Sequence, residues 1–408
     1  MLTNEERRVP IYATEQFPTI AHEVTQKTSL KNLNLNWTEK ELPERERTKH
    51  VNRLHPYLGK FIPQLVEVFL RKYFKKGQTV LDPFCGSGTT LVQANELGIN
   101  SIGYDISGFN VLLTRAKTAE YNIPEVKHEI LDILNKVRAE TQIDSHQQKL
   151  WIECTKGPYL SEENNEYLQT WFAPKALEEL LTYRYHIEAG NYRYKDLLKI
   201  IMCRSARSAR LTTHFDLDFP KKPVTAPYEC YKHRRICQPT QESFKFLHRY
   251  SLDTIKRVTE FASIRTDATI DVYHEDCRYT DFPPVHGVIT SPPYVGLIDY
   301  HEQHAYAYHL LGLEDKREKE IGPAANGKSK NAQQKYQDDI AEVFRRIIES
   351  MHPKGRLIVV ANDSNNLYGN IADSLDVTVE NIIQRHVNRR TGRRSTEFYE
   401  SIFIWRKQ

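Results

Sequence analysis

Short apolar runs alternate with amphipathic stretches in two separate parts of the chain, and the alternation lapses between them. Residues 79–81, 101–105, 270–276, 287–290 and 356–362 are short, apolar and rich in β-branched side chains, and they read as strands. Residues 64–74 and 91–97 repeat apolar positions at helical spacing, and 297–311 carries a further helical pattern. Strand–helix alternation over 51–122, resumed from 270 to 408, predicts an α/β sheet with parallel strands. Between them, 123–269 is helical and aromatic-rich, as at 167–185 and 241–262, with a proline-rich loop at 219–227. Residues 1–50 are polar, contain Pro10, Pro18 and Pro43, and predict an arm that packs on the core or reaches toward a partner. The expected organisation is an arm (1–50), a first α/β part (51–122), an insert (123–269) and a second α/β part (270–408).

Two strand ends carry candidate chemistry. The run 287–290 ends in Ser291-Pro292-Pro293-Tyr294. Proline has no N–H and fixes φ, so the strand stops there. Carbonyls beyond the break are free to accept hydrogen bonds from an amino group docked at the carboxyl end of the sheet, where open α/β sheets bind ligands. Ser291 adds a polar side chain and Tyr294 a planar face for a base. The run 79–81 leads into Asp82-Pro83-Phe84-Cys85-Gly86-Ser87-Gly88-Thr89-Thr90. Gly86 and Gly88 permit a tight turn and close approach of a ligand, and the helix start that follows suits a carboxylate or phosphate. The next strand ends in Asp105, an acid placed to bind ribose hydroxyls. This turn is neither the Gly-x-Gly-x-x-Gly of dinucleotide binding nor a P-loop.

The stretch 82–90 resembles motif I of the S-adenosylmethionine-dependent DNA amino-methyltransferases, and Ser291–Tyr294 resembles their catalytic motif IV. In that family Ser-Pro-Pro-Tyr is typical of cytosine-N4 enzymes, whereas Asp or Asn in first place is typical of adenine-N6 enzymes. Residues 55–63 with the helix behind them resemble motif X. Asp105 and Asp276 match the acids of motifs II and III, 356–362 resembles the fifth strand, and 378–389 with 400–405 resembles the closing antiparallel hairpin. The resemblance implies a Rossmann-like class I methyltransferase fold: an α/β seven-stranded sheet with an inserted, mainly helical target-recognition domain, in the alpha order of motifs. It implies S-adenosylmethionine as cofactor, held by Tyr57 and Phe61, by Asp82, Phe84, Gly86, Ser87, Gly88, Thr89 and Thr90, by Asp105 and Ile106, and by Asp276, Cys277 and Ser291. It implies catalysis by Ser291, Pro292, Pro293 and Tyr294, with the base flipped out of the duplex, stacked on Tyr294 and methylated directly. The activity expected is cytosine-N4 methylation of double-stranded DNA, as the modification enzyme of a restriction-modification system with a separate cognate endonuclease. Adenine N6 is the alternative, and an RNA or protein amino group a further one. A non-catalytic binder is disfavoured by the intact motifs. A cytosine-C5 enzyme would carry a nucleophilic Pro-Cys pair, which this sequence lacks.

Charge sharpens the reading of the insert. The 408 residues carry 57 Lys and Arg against 53 Asp and Glu, a net +4, yet 191–240 holds eleven basic residues and four acids. Such a block suits a polyanion. Arg204, Arg207 and Arg210 recur every third residue and share a helix face. Lys232, Arg234 and Arg235 lie beside Tyr228 and Tyr231, and Arg390, Arg393 and Arg394 flank a turn. These nine are the expected DNA contacts. Asp299 and His301 are candidate proton acceptors. The six cysteines, Cys85, Cys154, Cys203, Cys230, Cys237 and Cys277, are too scattered for a disulfide scaffold and read as small buried hydrophobes. Cys230 and Cys237, with His233 between them and Cys203 or His214 elsewhere, also admit zinc. The spacing is not Cys-x2-Cys, and no metal is expected. No apolar run approaches the length of a membrane span and the charged start has no apolar stretch behind it, so a cytoplasmic location is expected.

Overall fold

Seven strands form one sheet in a computed structural model, which describes residues 17–142, 165–296, 299–323, 327, 329–387 and 398–408. β1 (Thr79–Asp82) and β2 (Asn100–Asp105) belong to the first α/β part, and β3 (Tyr228–Cys230) and β4 (Arg235–Cys237) form a separate hairpin in the insert. β5 (Ile270–His274), β6 (Val285–Thr290), β7 (Met351–Ala361), β8 (Val377–His386) and β9 (Tyr399–Lys407) follow. The order across the sheet is β5-β2-β1-β6-β7-β9-β8. The first five pair in parallel, and β9 runs antiparallel between β7 and β8.

Alternating side chains explain why the central strands are apolar throughout. Val80, Ile289, Ile358 and Val360 join one apolar layer, under the helix Pro63–Tyr73. Leu81, Val288, Leu357 and Val359 join the other, under the helix Lys330–Ser350. Both faces of the sheet are covered, as parallel strands require. The chain leaves β1 toward β2 and β5 on one side, and β6 toward β7 on the other. A crevice therefore opens at the carboxyl ends of β1 and β6.

Two expected helices are divided. The pattern at 167–185 becomes Glu166–Trp171 and Pro174–Ala189, because Pro174 lacks an N–H and sits at the start of a helix, where none is needed. The pattern at 297–311 becomes Tyr300–Gln303 and Ala305–Leu311, interrupted at His304. The described part of the arm packs on the core. Leu33 and Leu35 are buried there, Trp37 Nε1 donates to the Thr19 carbonyl at 3.0 Å, and the His386 N–H donates to Asn36 Oδ1 at 2.6 Å.

The insert is helical over Ile123–Thr141, Glu166–Trp171, Pro174–Ala189, Lys195–Ala209 and Phe244–Ala262. Its apolar core is continuous with Phe109 and Leu113 of the helix Gly108–Thr118, and with Tyr306 and Leu310. The insert is thus packed against a wall of the crevice rather than tethered to it. No described helix is long and apolar enough to cross a membrane.

One buried carboxylate organises the insert. Glu179 is wholly buried and accepts the Ser243 N–H at 2.5 Å, the Ser243 hydroxyl at 3.0 Å and the Phe244 N–H at 2.7 Å. It caps the helix Phe244–Ala262, whose own Ser243 side chain makes no cap. Replacing Glu179 with Ala strands these donors out of water, and we expect a loss of about 2–3 kcal/mol of stability in urea unfolding followed by circular dichroism.

Candidate active site

The loop after β1 is shaped by two glycines in the left-handed region, Gly86 at φ +50° and Gly88 at φ +75°. A Cβ on Gly86 would lie 3.2 Å from the Tyr57 hydroxyl, and one on Gly88 would lie 2.7 Å from Thr114 Cγ2. A side chain at either position would be strained by the backbone angle, and at Gly88 it would also collide with Thr114. The loop carbonyls are drawn toward the helix Gly108–Thr118: Thr114 Oγ1 donates to the Gly86 carbonyl at 3.0 Å, and buried Lys117 Nζ to the Ser87 carbonyl at 2.6 Å. Ser87 and Thr89, at the start of the helix Thr89–Glu96, face the crevice.

The cavity there spans about 810 Å³ of non-atom space, part of it open to solvent. Eleven of the fourteen expected cofactor residues line it: Tyr57, Phe61, Phe84, Gly86, Ser87, Thr89, Asp105, Ile106, Asp276, Cys277 and Ser291. Asp82, Gly88 and Thr90 do not, and here the structure differs from the expectation. Asp82 Oδ1 accepts the Thr290 hydroxyl at 2.6 Å and the Phe84 N–H at 3.2 Å, and Thr90 Oγ1 donates to the Ile289 carbonyl at 3.2 Å. These side chains stand behind the wall and join the two strand ends. Gly88 shapes the loop.

Two acids mark the rim. Asp105 accepts the Gly86 and Ser107 N–H groups, each at 2.8 Å, and Asn110 Nδ2 at 3.1 Å. Burial pushes its carboxyl up to about 6, against the pull of these donors. Burial also pushes Asp82 up to about 6. Asp276 is gripped by Arg278, Nε to Oδ1 at 3.0 Å and Nη2 to Oδ2 at 2.6 Å. Arg278 also donates to the Lys319 carbonyl at 2.6 Å, which ties a distant loop to the rim.

In the tetrapeptide, Ser291 and Pro293 line the cavity, while Pro292 is buried. β6 ends at Thr290, so the Ser291 and Pro292 carbonyls lie beyond the strand. Tyr294 is half-buried and packs against the apolar core under the helix Lys330–Ser350. Its hydroxyl donates to Glu400 at 3.2 Å, and Glu400 pairs with buried Arg385 at 3.3 Å. Burial, with Glu400 beside it, holds the Tyr294 phenol well above its ordinary range. The hydroxyl is thus tied to β9, while the residue stays partly exposed.

Several lining residues were not among the expected site residues: Lys60, Asn110, Tyr300, Lys319, Glu320 and Ile321. Burial pulls Lys60 down to about 8, and its Nζ donates to the Asn52 carbonyl at 2.9 Å. Tyr57 stacks with Tyr300 and with His304, at 5.7 and 5.5 Å between ring centres. Burial takes His304 down to about 3, so it stays neutral. Asn110 lies in the first turn after the Ser107 cap, and its place one turn past Asp105 was the one available clue. Asp299 and His301 fix the loop that bears Lys319–Ile321. Asp299 caps a short helix through the Glu302 N–H at 2.8 Å, and His301 lies 2.7 Å from Glu320 and accepts the Lys316 N–H at 3.2 Å.

The expected DNA contacts divide sharply. Arg204 pairs with Asp253 at 2.7 Å and lies over the Tyr250 ring at 4.2 Å. Arg207 pairs with Asp218 at 2.5 Å. Arg210 is wholly buried, donates to the Leu217 carbonyl at 2.5 Å and lies over Tyr306 at 4.6 Å. Their shared helix face is real, but it packs against the helix Phe244–Ala262 and the loop after Ala209, so these three are structural. Lys232, Arg234 and Arg235 are exposed on the β3–β4 hairpin. Arg390, Arg393 and Arg394 lie outside the described residues.

A family profile described as DNA methylase, of the N6/N4 methyltransferase type, matches residues 5–115. The type II methyltransferase M.MjaII of Methanocaldococcus jannaschii is 38% identical over 89% of this chain and 81% of its own length. The chain belongs to the N6/N4 DNA methyltransferase family. M.BsoBI of Geobacillus stearothermophilus, another type II methyltransferase, is 26% identical over 66% of this chain and 54% of its own. Among solved structures, TrmN from Thermus thermophilus aligns over 86% of this chain and 50% of its own, at 12% identity and a TM-score of 0.32, a likeness too loose to carry an argument.

The methyltransferase takes its methyl group from S-adenosylmethionine. The residues present fit that donor: a loop turned by two left-handed glycines, helix N–H groups beside it, and a carboxylate at the end of β2. Asp105 titrates above the ordinary carboxylate range, so the folded protein holds its proton more tightly than the unfolded chain. Its contribution to stability falls as pH rises from about 4 through about 6. A carboxylate that accepts ribose hydroxyls does so in its ionised form, so with Asp105 in that expected role cofactor affinity would rise over the same window. Calorimetric titration is expected to show that rise, and Asp105→Asn to weaken binding about ten- to hundredfold and flatten the pH dependence.

Proposed function

We propose that this methyltransferase methylates cytosine N4 at a specific sequence in duplex DNA, as the modification enzyme of a type II restriction-modification system. The observation that carries the reading is the placement of Ser291. Ser291 lines the same cavity as Gly86, Ser87 and Asp105, at the end of the strand next to β1. A hydroxyl stands where the adenine-N6 members of the family typically carry a carboxylate or carboxamide. The type II designation of M.MjaII and M.BsoBI supports the restriction-modification setting and a cognate endonuclease. The exposed Lys232, Arg234 and Arg235, with Tyr231 84% exposed beside them, support a nucleic-acid contact in the insert.

Bound S-adenosylmethionine supplies an electrophilic methyl group on sulfonium. The chain's own work is to position the amine. The cytosine amine is conjugated with its ring, and its lone pair is a weak nucleophile. Ser291 Oγ and the Pro292 carbonyl accept its two N–H bonds, draw the nitrogen toward tetrahedral geometry and aim the lone pair into the cavity. The target base leaves the duplex at a cost of a few kcal/mol. Glu400 and Arg385 fix the Tyr294 hydroxyl and thereby the peptide that presents Ser291. No covalent enzyme intermediate is needed, and the proton shed by the methylated amine passes to water at the mouth.

Incubation with labelled S-adenosylmethionine and mixed-sequence duplex DNA, followed by mass spectrometry of the nucleosides, is expected to give N4-methylcytosine. N6-methyladenine would overturn the base assignment, and label confined to RNA or protein would overturn the substrate. Ser291→Ala is expected to slow transfer by about 10²-fold or more while cofactor affinity changes little. Equal losses in both would make Ser291 structural.

A further inference from the structure

The β3–β4 hairpin has almost nothing apolar to hold it. Across 228–237 the buried side chains are Cys230 and Cys237, and neither joins any of the apolar cores. Each strand is three residues long, and Tyr231 and Ile236 are 84% and 63% exposed. A hairpin of this size is marginal in water unless something else staples it. The two cysteines are free thiols, so no disulfide does so.

Four side chains converge at the hairpin: buried Cys230 and Cys237, half-buried His214 and exposed His233. The ligating atoms of His214, Cys230, His233 and Cys237 all lie within 4.8 Å of one another. Cys230 Sγ is 3.6 Å from Nδ1 of both His214 and His233, and Cys237 Sγ is 3.5 Å from His233 Nδ1. A tetrahedral zinc ion with bonds of about 2.3 Å to sulfur and about 2.0–2.1 Å to nitrogen has sulfur–nitrogen edges of about 3.6 Å. Three of the four sulfur–nitrogen pairs have that spacing. The register explains the convergence: Cys230 ends β3, Cys237 ends β4, and the turn brings His233 back with its N–H on the Cys230 carbonyl at 3.2 Å. His214 comes from the loop after the helix Lys195–Ala209. Its backbone N–H donates to the Tyr228 hydroxyl at 3.2 Å, and that hydroxyl also lies 2.8 Å from its Nδ1. Zinc would take the Nδ1 lone pair and leave the hydroxyl as acceptor of the N–H.

We infer that His214, Cys230, His233 and Cys237 form a structural Cys2His2 zinc site that fixes the basic hairpin of the insert. Four protein ligands close the coordination shell, which marks the site as structural rather than catalytic. Binding releases the two thiol protons, and the two thiolates neutralise the dication. Lys232, Arg234 and Arg235 keep their charge and are held outward together. The assignment of a metal rests on geometry alone, whereas the use of the hairpin on DNA rests on the function proposed above.

Elemental analysis of the full chain purified from zinc-containing medium is expected to give about one zinc per chain. Replacement by cobalt(II) is expected to produce the thiolate charge-transfer and intense visible bands of a tetrahedral site. Cys230→Ser should lose the metal and weaken duplex binding about tenfold or more, with S-adenosylmethionine affinity retained as the sign of an intact core. His233→Cys should keep the metal and shift the charge-transfer band. A wild-type chain that holds no stoichiometric zinc and gives no tetrahedral cobalt spectrum overturns the site. Zinc retained at full stoichiometry in Cys230→Ser overturns it equally. A zinc-bearing protein that fails to methylate DNA would leave the site standing and remove only the DNA reading.

Discussion

The hydrogen bond from Thr290 to Asp82, 2.6 Å long and sealed from water, joins the ends of β1 and β6. Everything at the candidate site hangs from that join. On the Asp82 side begins the glycine loop that faces the crevice. On the Thr290 side begins the tetrapeptide. Thr90 adds a second tie by donating to the Ile289 carbonyl. In a low-dielectric interior such bonds are strong and their loss leaves unpaired groups, so the two motifs are held in one geometry although 208 residues separate Asp82 from Thr290. The strand order makes the join possible, because β1 and β6 are neighbours whose chains depart in opposite directions.

The same economy of buried polar contacts runs through the insert. Three arginines that read as DNA contacts are spent on Asp253, Asp218 and the Leu217 carbonyl, and two of them also lie over Tyr250 and Tyr306. Guanidinium groups suit this work, since each offers several fixed donors and a flat face. They fasten the loop 211–218 to the helices, and that loop carries His214 to the hairpin. The basic charge of the insert therefore serves two ends, one inside the fold and one on the hairpin at its surface.

Some features were legible because they depend on local chemistry. The glycines at 86 and 88 answer to backbone angles that only glycine adopts readily, and Pro292 and Pro293 stop a strand wherever they stand. The acid at 105 was legible because it closes a strand of the right length after that turn. Asp82 and Thr90 were recognised as part of the motif, yet their task differed: they tie strand to strand behind the wall. Tyr294 was recognised too, but its anchor, Glu400, lies on β9 and follows no local rule.

The sequence by itself determined the alternating strands and helices, the two motifs, the family and most of the polar groups that line the cavity. These follow from nearest-neighbour chemistry along the chain and from periods of two and three to four residues. The tertiary structure decided which face of the arginine-bearing helix meets water, which loop brings Lys319–Ile321 to the cavity, and that His214 joins Cys230, His233 and Cys237. A helical period groups side chains on a face but does not say what covers that face. Contacts between residues far apart in the chain depend on how the layers pack, and no local pattern records them.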